Sequence, residues 1–181
     1  MPVVVSNVRW HTISRIAIFA LLACNTAYYL YAGTLSKRLD AVAWLVLLAL
    51  YAIESGDTAR FHTGRTATAL RATRLVAAIA VCASGVGYIF EHNSLDAINT
   101  GLWIAVVALL EFEVRQPRDV ARYRGWFTAT AAAIYASLAA LVLAWAWRGE
   151  WLDAYDALLW LAAFAIIEMD VLKHAGGNAS A

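Results

Sequence analysis

The chain reads as an all-α integral membrane protein, a six-helix bundle made of three parallel two-helix hairpins. Three observations predict this. Hydrophobic residues make up 62% of the 181 and charged residues 15%, where soluble domains carry roughly 45–50% and about 25%. A Leu-Asp-Ala signature recurs at Leu39-Asp40-Ala41, Leu95-Asp96-Ala97 and Leu152-Asp153-Ala154, opening an apolar run each time. Each run closes on a carboxylate, Glu54, Glu111 or Glu168, and successive glutamates are 57 residues apart.

The elements follow in order. The odd spans read as 16–32, 75–90 and 126–147, the even spans as 41–53, 97–110 and 154–167. All must be helices, because lipid offers backbone groups no partner. The first run is followed by Leu35-Ser36-Lys37-Arg38 instead of a small-residue cleavage site, so it is predicted to stay as a span. Asp40, Asp96 and Asp153 stand at the heads of the even helices, where a carboxylate makes a good N-cap. Tyr31, Tyr88 and Trp145, again 57 apart, suit an aromatic belt at the membrane interface. Trp103 and Trp160 match between the second and third copies, and Trp44 stands near the start of the first. The repeats run approximately over 9–60, 65–115 and 122–173 within one transmembrane domain, 1–181, with 175–181 as a disordered tail. Copies of even span number share one orientation, which implies a pseudo-threefold axis along the membrane normal.

Charge sets the orientation. Arg9, Arg15, Arg60, Arg65, Arg71, Arg74, Arg115, Arg118, Arg122, Arg124 and Lys173 fall on one side, and only Lys37, Arg38 and Arg148 on the other. The positive-inside rule then places both termini in the cytoplasm, consistent with a bacterial inner membrane. Arg65, Arg71 and Arg122 are candidate contacts to anionic lipid headgroups. Loops this short, pinned to a bilayer, exclude nucleic acid as a partner.

The glutamates draw attention through length. Asp40 to Glu54, Asp96 to Glu111 and Asp153 to Glu168 cover only about 21–23 Å at 1.5 Å per residue, against a hydrocarbon core of about 30 Å. One end of each even helix is therefore expected to lie inside the membrane unless the bilayer thins locally. Each glutamate has an acidic neighbour, Asp57, Glu113 or Asp170, so six carboxylates are predicted to converge near the inner leaflet. Oxygen ligands of this kind suit a hard divalent cation, with Glu54, Glu111 and Glu168 as its ligands, and crowded carboxylates also hold protons. The plainer alternative is helix-surface pairing, Glu111 with Arg115, Asp57 with Arg60 and Asp170 with Lys173.

Glu54-Ser55-Gly56-Asp57-Thr58 resembles the Glu-x-Gly-Asp-[Lys/Arg]-[Thr/Ser] signature of a family of cation/proton exchangers that move calcium and manganese. The likeness covers five residues, lacks the basic position and occurs once. That family is built from three-span repeats, so none of its residue roles is carried over.

Few other polar groups lie in the spans. Asn25, Thr26, Ser84 and Ser137 are expected to hydrogen-bond between helices, and Ser84-Gly85-Val86-Gly87 to form a close-packing surface. Asn99 and Asp156 are placed to line an outer vestibule. Cys24 and Cys82 read as buried apolar fillers. There is no Ser/His/Asp set, HExxH, Cys-pair zinc motif or phosphate-cradling glycine loop, so the sequence predicts no enzyme. The leading expectation is a cation-handling channel or transporter. The alternative is a non-transporting scaffold, and either admits homo-oligomers or a larger membrane complex.

Overall fold

The structure is a computed structural model that describes the backbone of residues 3–56 and 64–178 and the side chains of residues 16–53 and 66–165. Among these residues there are only helices: α1 (Val3–Ala32), α2 (Leu35–Gly56), α3 (Gly64–Phe90), α4 (Ser94–Arg115), α5 (Pro117–Arg122), α6 (Arg124–Arg148) and α7 (Trp151–Asn178). Three of them contain stretches long and apolar enough to cross a membrane, Thr66–Phe90, Ser94–Arg115 and Arg124–Arg148, and α1 adds the shorter apolar stretch Ile16–Ala32. The unforeseen element is α5, a six-residue helix with Pro117 at its first position, where the missing N–H has no intrahelical partner to lose.

The even helices are longer than expected. Both α2 and α4 have 22 residues, about 33 Å, the length of the hydrocarbon core, and α4 is also apolar enough to cross it. They gain this length by starting before the Leu-Asp-Ala signature. Asp40 is the sixth residue of α2, while Asp96 and Asp153 are each the third residue of their helices. None of the three is an N-cap. At the head of α4 that place belongs to Asn93. At the other end, α7 continues through Asn178, into the stretch read as tail.

Residues 1–25 with 135–181 form one compact unit and residues 26–134 another. In the second unit α3 packs against both α2 and α4. The buried positions follow the helical period: Ala77, Val81, Ser84 and Tyr88 on α3, and Asp96, Thr100, Trp103 and Val106 on α4. The expected small-residue surface is present. Gly85 lies against Thr100, and Gly87 is so close to Ser36 that any Cβ there would collide with the Ser36 hydroxyl. In the first unit, Leu138, Leu141 and Trp145 share the buried stripe of α6, and Asn25 Nδ2 on α1 donates to Asp156 Oδ1 on α7 at 2.6 Å.

Two side-chain expectations are corrected. Tyr88 and Trp145 are core residues, 3% and 2% exposed, and only Tyr31 faces outward, at 87%; the three do not form one belt. Cys24 and Cys82 are exposed free thiols on the outer faces of α1 and α3.

The α3–α4 and α6–α7 turns share one hydrogen-bond pattern at corresponding positions. Asn93 N–H donates to Tyr88 O and His92 N–H to Ile89 O; Glu150 N–H donates to Trp145 O and Gly149 N–H to Ala146 O. This is the Schellman arrangement, which needs a left-handed residue after the helix. Gly149 fills that place at φ +77 and His92 at φ +58. A side chain in this region costs about 1 kcal/mol, so His92→Gly is expected to stabilise the protein by about that amount and raise its midpoint by about 2–4 °C. His92→Val is expected to lower it, and thermal unfolding in detergent reads both.

Candidate functional site

The α1–α2 and α3–α4 turns lie at the same end of the second unit, and the buried polar residues Ser36, Ser84, Asp96 and Thr100 lie at or near that end. Lys37, in the first turn of α2, reaches Asp96 at the head of α4, with Nζ 3.3 Å from Oδ2. Asp96 is only 7% exposed and also accepts a hydrogen bond from Asn93 Nδ2. The ammonium group lies 5.7 Å from the centre of the Tyr29 ring, within range for a cation–π contact. Asp40, half-buried on α2, takes the Ser84 hydroxyl from α3 at 2.8 Å. Tyr88 sits within electrostatic reach of Asp40, Asp96, Tyr29 and Glu91.

Glu91, just beyond the end of α3, closes the layer by grasping the α1–α2 turn. Its Oε2 accepts from Thr34 Oγ1 at 2.7 Å, and its Oε1 accepts from Ser36 Oγ at 2.8 Å and Ser36 N–H at 3.3 Å. The close approach of Gly87 lets Ser36 sit within this reach. Arg38 stays at the surface, its Nε donating to Gly33 O at 2.9 Å. The layer thus assembles three carboxylates, Asp40, Asp96 and Glu91, around the single ammonium of Lys37.

Beneath it the packing turns apolar. Trp44 on α2 and Trp103 on α4 meet edge to face at 6.4 Å, beside the buried side chains of Leu48, Val81, Ala77 and Val106. The exceptions lie one turn below Asp96. Thr100 is buried, and neither its hydroxyl oxygen nor Asn99 Oδ1 has a hydrogen-bond partner.

The residues expected to bind a cation fare differently. Glu111 is exposed and pairs with Arg115 one turn later, both more than half exposed, as the helix-surface reading has it. Glu113 is exposed. Glu54 belongs to α2 and Glu168 and Asp170 to α7, but their side chains lie outside the described residues, as does Asp57 altogether. Among the described residues no group of three or more His, Cys, Asp or Glu side chains is placed to hold a metal ion. Of the headgroup candidates, Arg71 is exposed, Arg122 is exposed with its guanidinium 5.4 Å from the Tyr123 ring centre, and the Arg65 side chain is outside the described set. Sequence reasoning missed Lys37 and Glu91. One signal for Lys37 was available: it is one of only three basic residues on its side of the charge partition. Comparison with protein-family models, curated proteins and solved structures finds no match for this chain.

Two predictions follow from these contacts. Removing one member of a buried pair strands the other charge, so Lys37→Met is expected to cost about 3 kcal/mol, and the double variant Lys37→Met/Asp96→Leu to recover most of that. A double-mutant cycle on unfolding midpoints measures the coupling. Glu91 feels partial burial, which pushes its carboxyl up, but the hydrogen bonds from Thr34 and Ser36 and the Lys37 charge outweigh it and hold it below the ordinary value of 4.5. A lowered folded value stabilises above the unfolded one, and that contribution disappears as pH falls through the lowered value. Melting temperature should therefore fall on acidification below about 4.5, and Glu91→Gln should flatten that limb.

Proposed function

We propose that the protein is a small polytopic cation transporter whose ion- or proton-binding site is the acidic layer of α2, α3 and α4. A single observation carries this reading: an almost fully buried carboxylate, Asp96, held at the head of an apolar helix by Lys37. Ionisable groups among membrane helices are costly and mark ion and proton pathways. With all four groups charged, the three carboxylates exceed the one ammonium by two, so the layer favours a cation or a proton. The apolar packing under it, centred on Trp44 and Trp103, argues for a carrier that opens by moving and against a standing pore.

The wider architecture is part of the proposal: six spans, both termini cytoplasmic in a bacterial inner membrane, and three hairpins around a pseudo-threefold axis. Support for the repeat comes from the matching α3–α4 and α6–α7 turns. It also comes from two hydrogen bonds of one kind, in which a polar group on an odd span meets an acid on an even span of another hairpin: Ser84 to Asp40, and Asn25 to Asp156. On this reading Glu54, Glu111 and Glu168, with Asp57, Glu113 and Asp170, form a second station at the cytoplasmic end, able to take a divalent cation. Arg65, Arg71 and Arg122 anchor the same end to anionic headgroups.

The span of α6 buries only 11% of its residues, and Trp126 and Trp147 stand outward at 80% and 93% exposure. This favours a second reading, a scaffold or accessory subunit that presents apolar faces to other membrane helices. Proteoliposome flux separates the two. Uptake of protons or divalent cations that vanishes in Asp40→Asn, with Glu54/Glu111/Glu168→Gln tested beside it, is the transporter's signature. Absence of flux from folded native protein would leave the scaffold.

A further inference from the structure

Two apolar stretches fix where α5 stands. Only Gln116 separates it from Ser94–Arg115, and only Tyr123 separates it from Arg124–Arg148. With both stretches crossing a bilayer, α5 joins their ends on one side of it. Its six helical residues extend about 9 Å, and the chain then enters the next span at once. The segment therefore stays at the level of the headgroups.

Its charges sort by the helical period. Arg118 and Arg122 are four residues apart and share one face; both are exposed, while Val120 between them is half-buried. Arg124, the first residue of α6, is exposed as well. Arg115 is paired with Glu111 at 2.5 Å, but among the described residues Arg118, Arg122 and Arg124 have no acidic partner. Against these three arginines α5 carries one acid, Asp119. Two aromatic rings stand outward beside them. Tyr123, 54% exposed, has the Arg122 guanidinium 5.4 Å from its ring centre, and Trp126, 80% exposed, lies on the first turn of α6.

We propose that this corner binds the headgroups of anionic phospholipids. Arg118, Arg122 and Arg124 hold the phosphodiester oxygens, and Tyr123 and Trp126 sit at the glycerol level beside them. A guanidinium presents paired N–H donors that match phosphate oxygens, and Tyr and Trp favour the membrane–water interface. The inference deepens the headgroup-anchoring part of the reading above and rests on that part; transport does not enter it. An acidic protein would meet the same charges. The surface, however, borders two apolar stretches and turns its rings outward, which is the arrangement of a bilayer contact.

Electron spin resonance of the full chain in phosphatidylcholine vesicles tests this, with spin-labelled phosphatidylglycerol and spin-labelled phosphatidylcholine as probes. The readout is the ratio of their association constants at the protein boundary. An arginine near an anionic surface contributes about fivefold to affinity. The native protein is expected to prefer phosphatidylglycerol by about fivefold or more, and that preference to weaken with added salt. Arg118/Arg122/Arg124→Gln is expected to lose most of it, and the corresponding triple Lys variant, which keeps the charge, to retain it. A preference that survives in the triple Gln variant but falls in Arg71→Gln overturns the inference and leaves headgroup anchoring standing. No preference in the native protein overturns both.

Discussion

The Lys37–Asp96 ion pair is the contact on which the rest of this arrangement depends. A carboxylate almost wholly removed from water at the start of an apolar helix is untenable by itself, since desolvating an ion costs several kcal/mol. Its partner comes from a different helix, so the cost is met only when the α1–α2 turn delivers Lys37 to the head of α4. That requirement fixes the register of three helices. Gly33 allows the tight turn, where a Cβ would strike the Tyr29 carbonyl. Gly87 lets the start of α2 lie against α3, which brings Ser36 and Thr34 to Glu91. With that register set, Asp40 falls opposite Ser84. The polar contacts are thus coupled, and moving α2 along α3 would break several together.

The layering below gives the pair its strength and its meaning. Each of the three helices places polar residues at the turn end of its buried face and apolar residues further in: Ser36 and Asp40 above Trp44 and Leu48, Tyr88 and Ser84 above Val81 and Ala77, Asp96 and Thr100 above Trp103 and Val106. Charges backed by such packing feel a lower dielectric than charges at a surface, and their attractions grow accordingly. The polar layer is thus closed on its inner side by the apolar packing around Trp44 and Trp103.

Much of this was legible in the sequence, and the misses have physical causes. The Leu-Asp-Ala signature located the helix starts to within a few residues, and Ser84 and Asn25 were recognised as hydrogen-bonding groups because a polar side chain in lipid must find a partner. The small-residue run at 84–87 predicts a close-packing face, and Gly85 against Thr100 with Gly87 against Ser36 form one. The error at the helix heads came from treating Asp as a cap. A cap and a residue one or two turns inside a helix look alike when the preceding residues, here Leu35 to Leu39 and Ser94-Leu95, tolerate a helix equally well. Lys37 and Glu91 were passed over because they sit at turns and their partners are distant in sequence. Tyr88 and Trp145 recur in register with Tyr31, but register sets the position along a helix and not which face a neighbour covers.

The spacing of each Asp–Glu pair constrains both of its ends. Fifteen residues between an aspartate and a glutamate cannot reach both membrane surfaces unless the bilayer thins locally, so one of the two is expected to lie within. A glutamate paired with an arginine one turn later, as Glu111 is with Arg115, remains exposed and has no need of burial. The aspartates have the tertiary partners, and α2 extends about 7.5 Å before Asp40 at 1.5 Å per residue. Among the described residues Asp96 meets Lys37 and Asn93, and Asp40 meets Ser84. The length constraint that draws attention to Glu54, Glu111 and Glu168 applies equally to Asp40 and Asp96, and this is why the proposed site takes the acidic layer first and the glutamate triplet second.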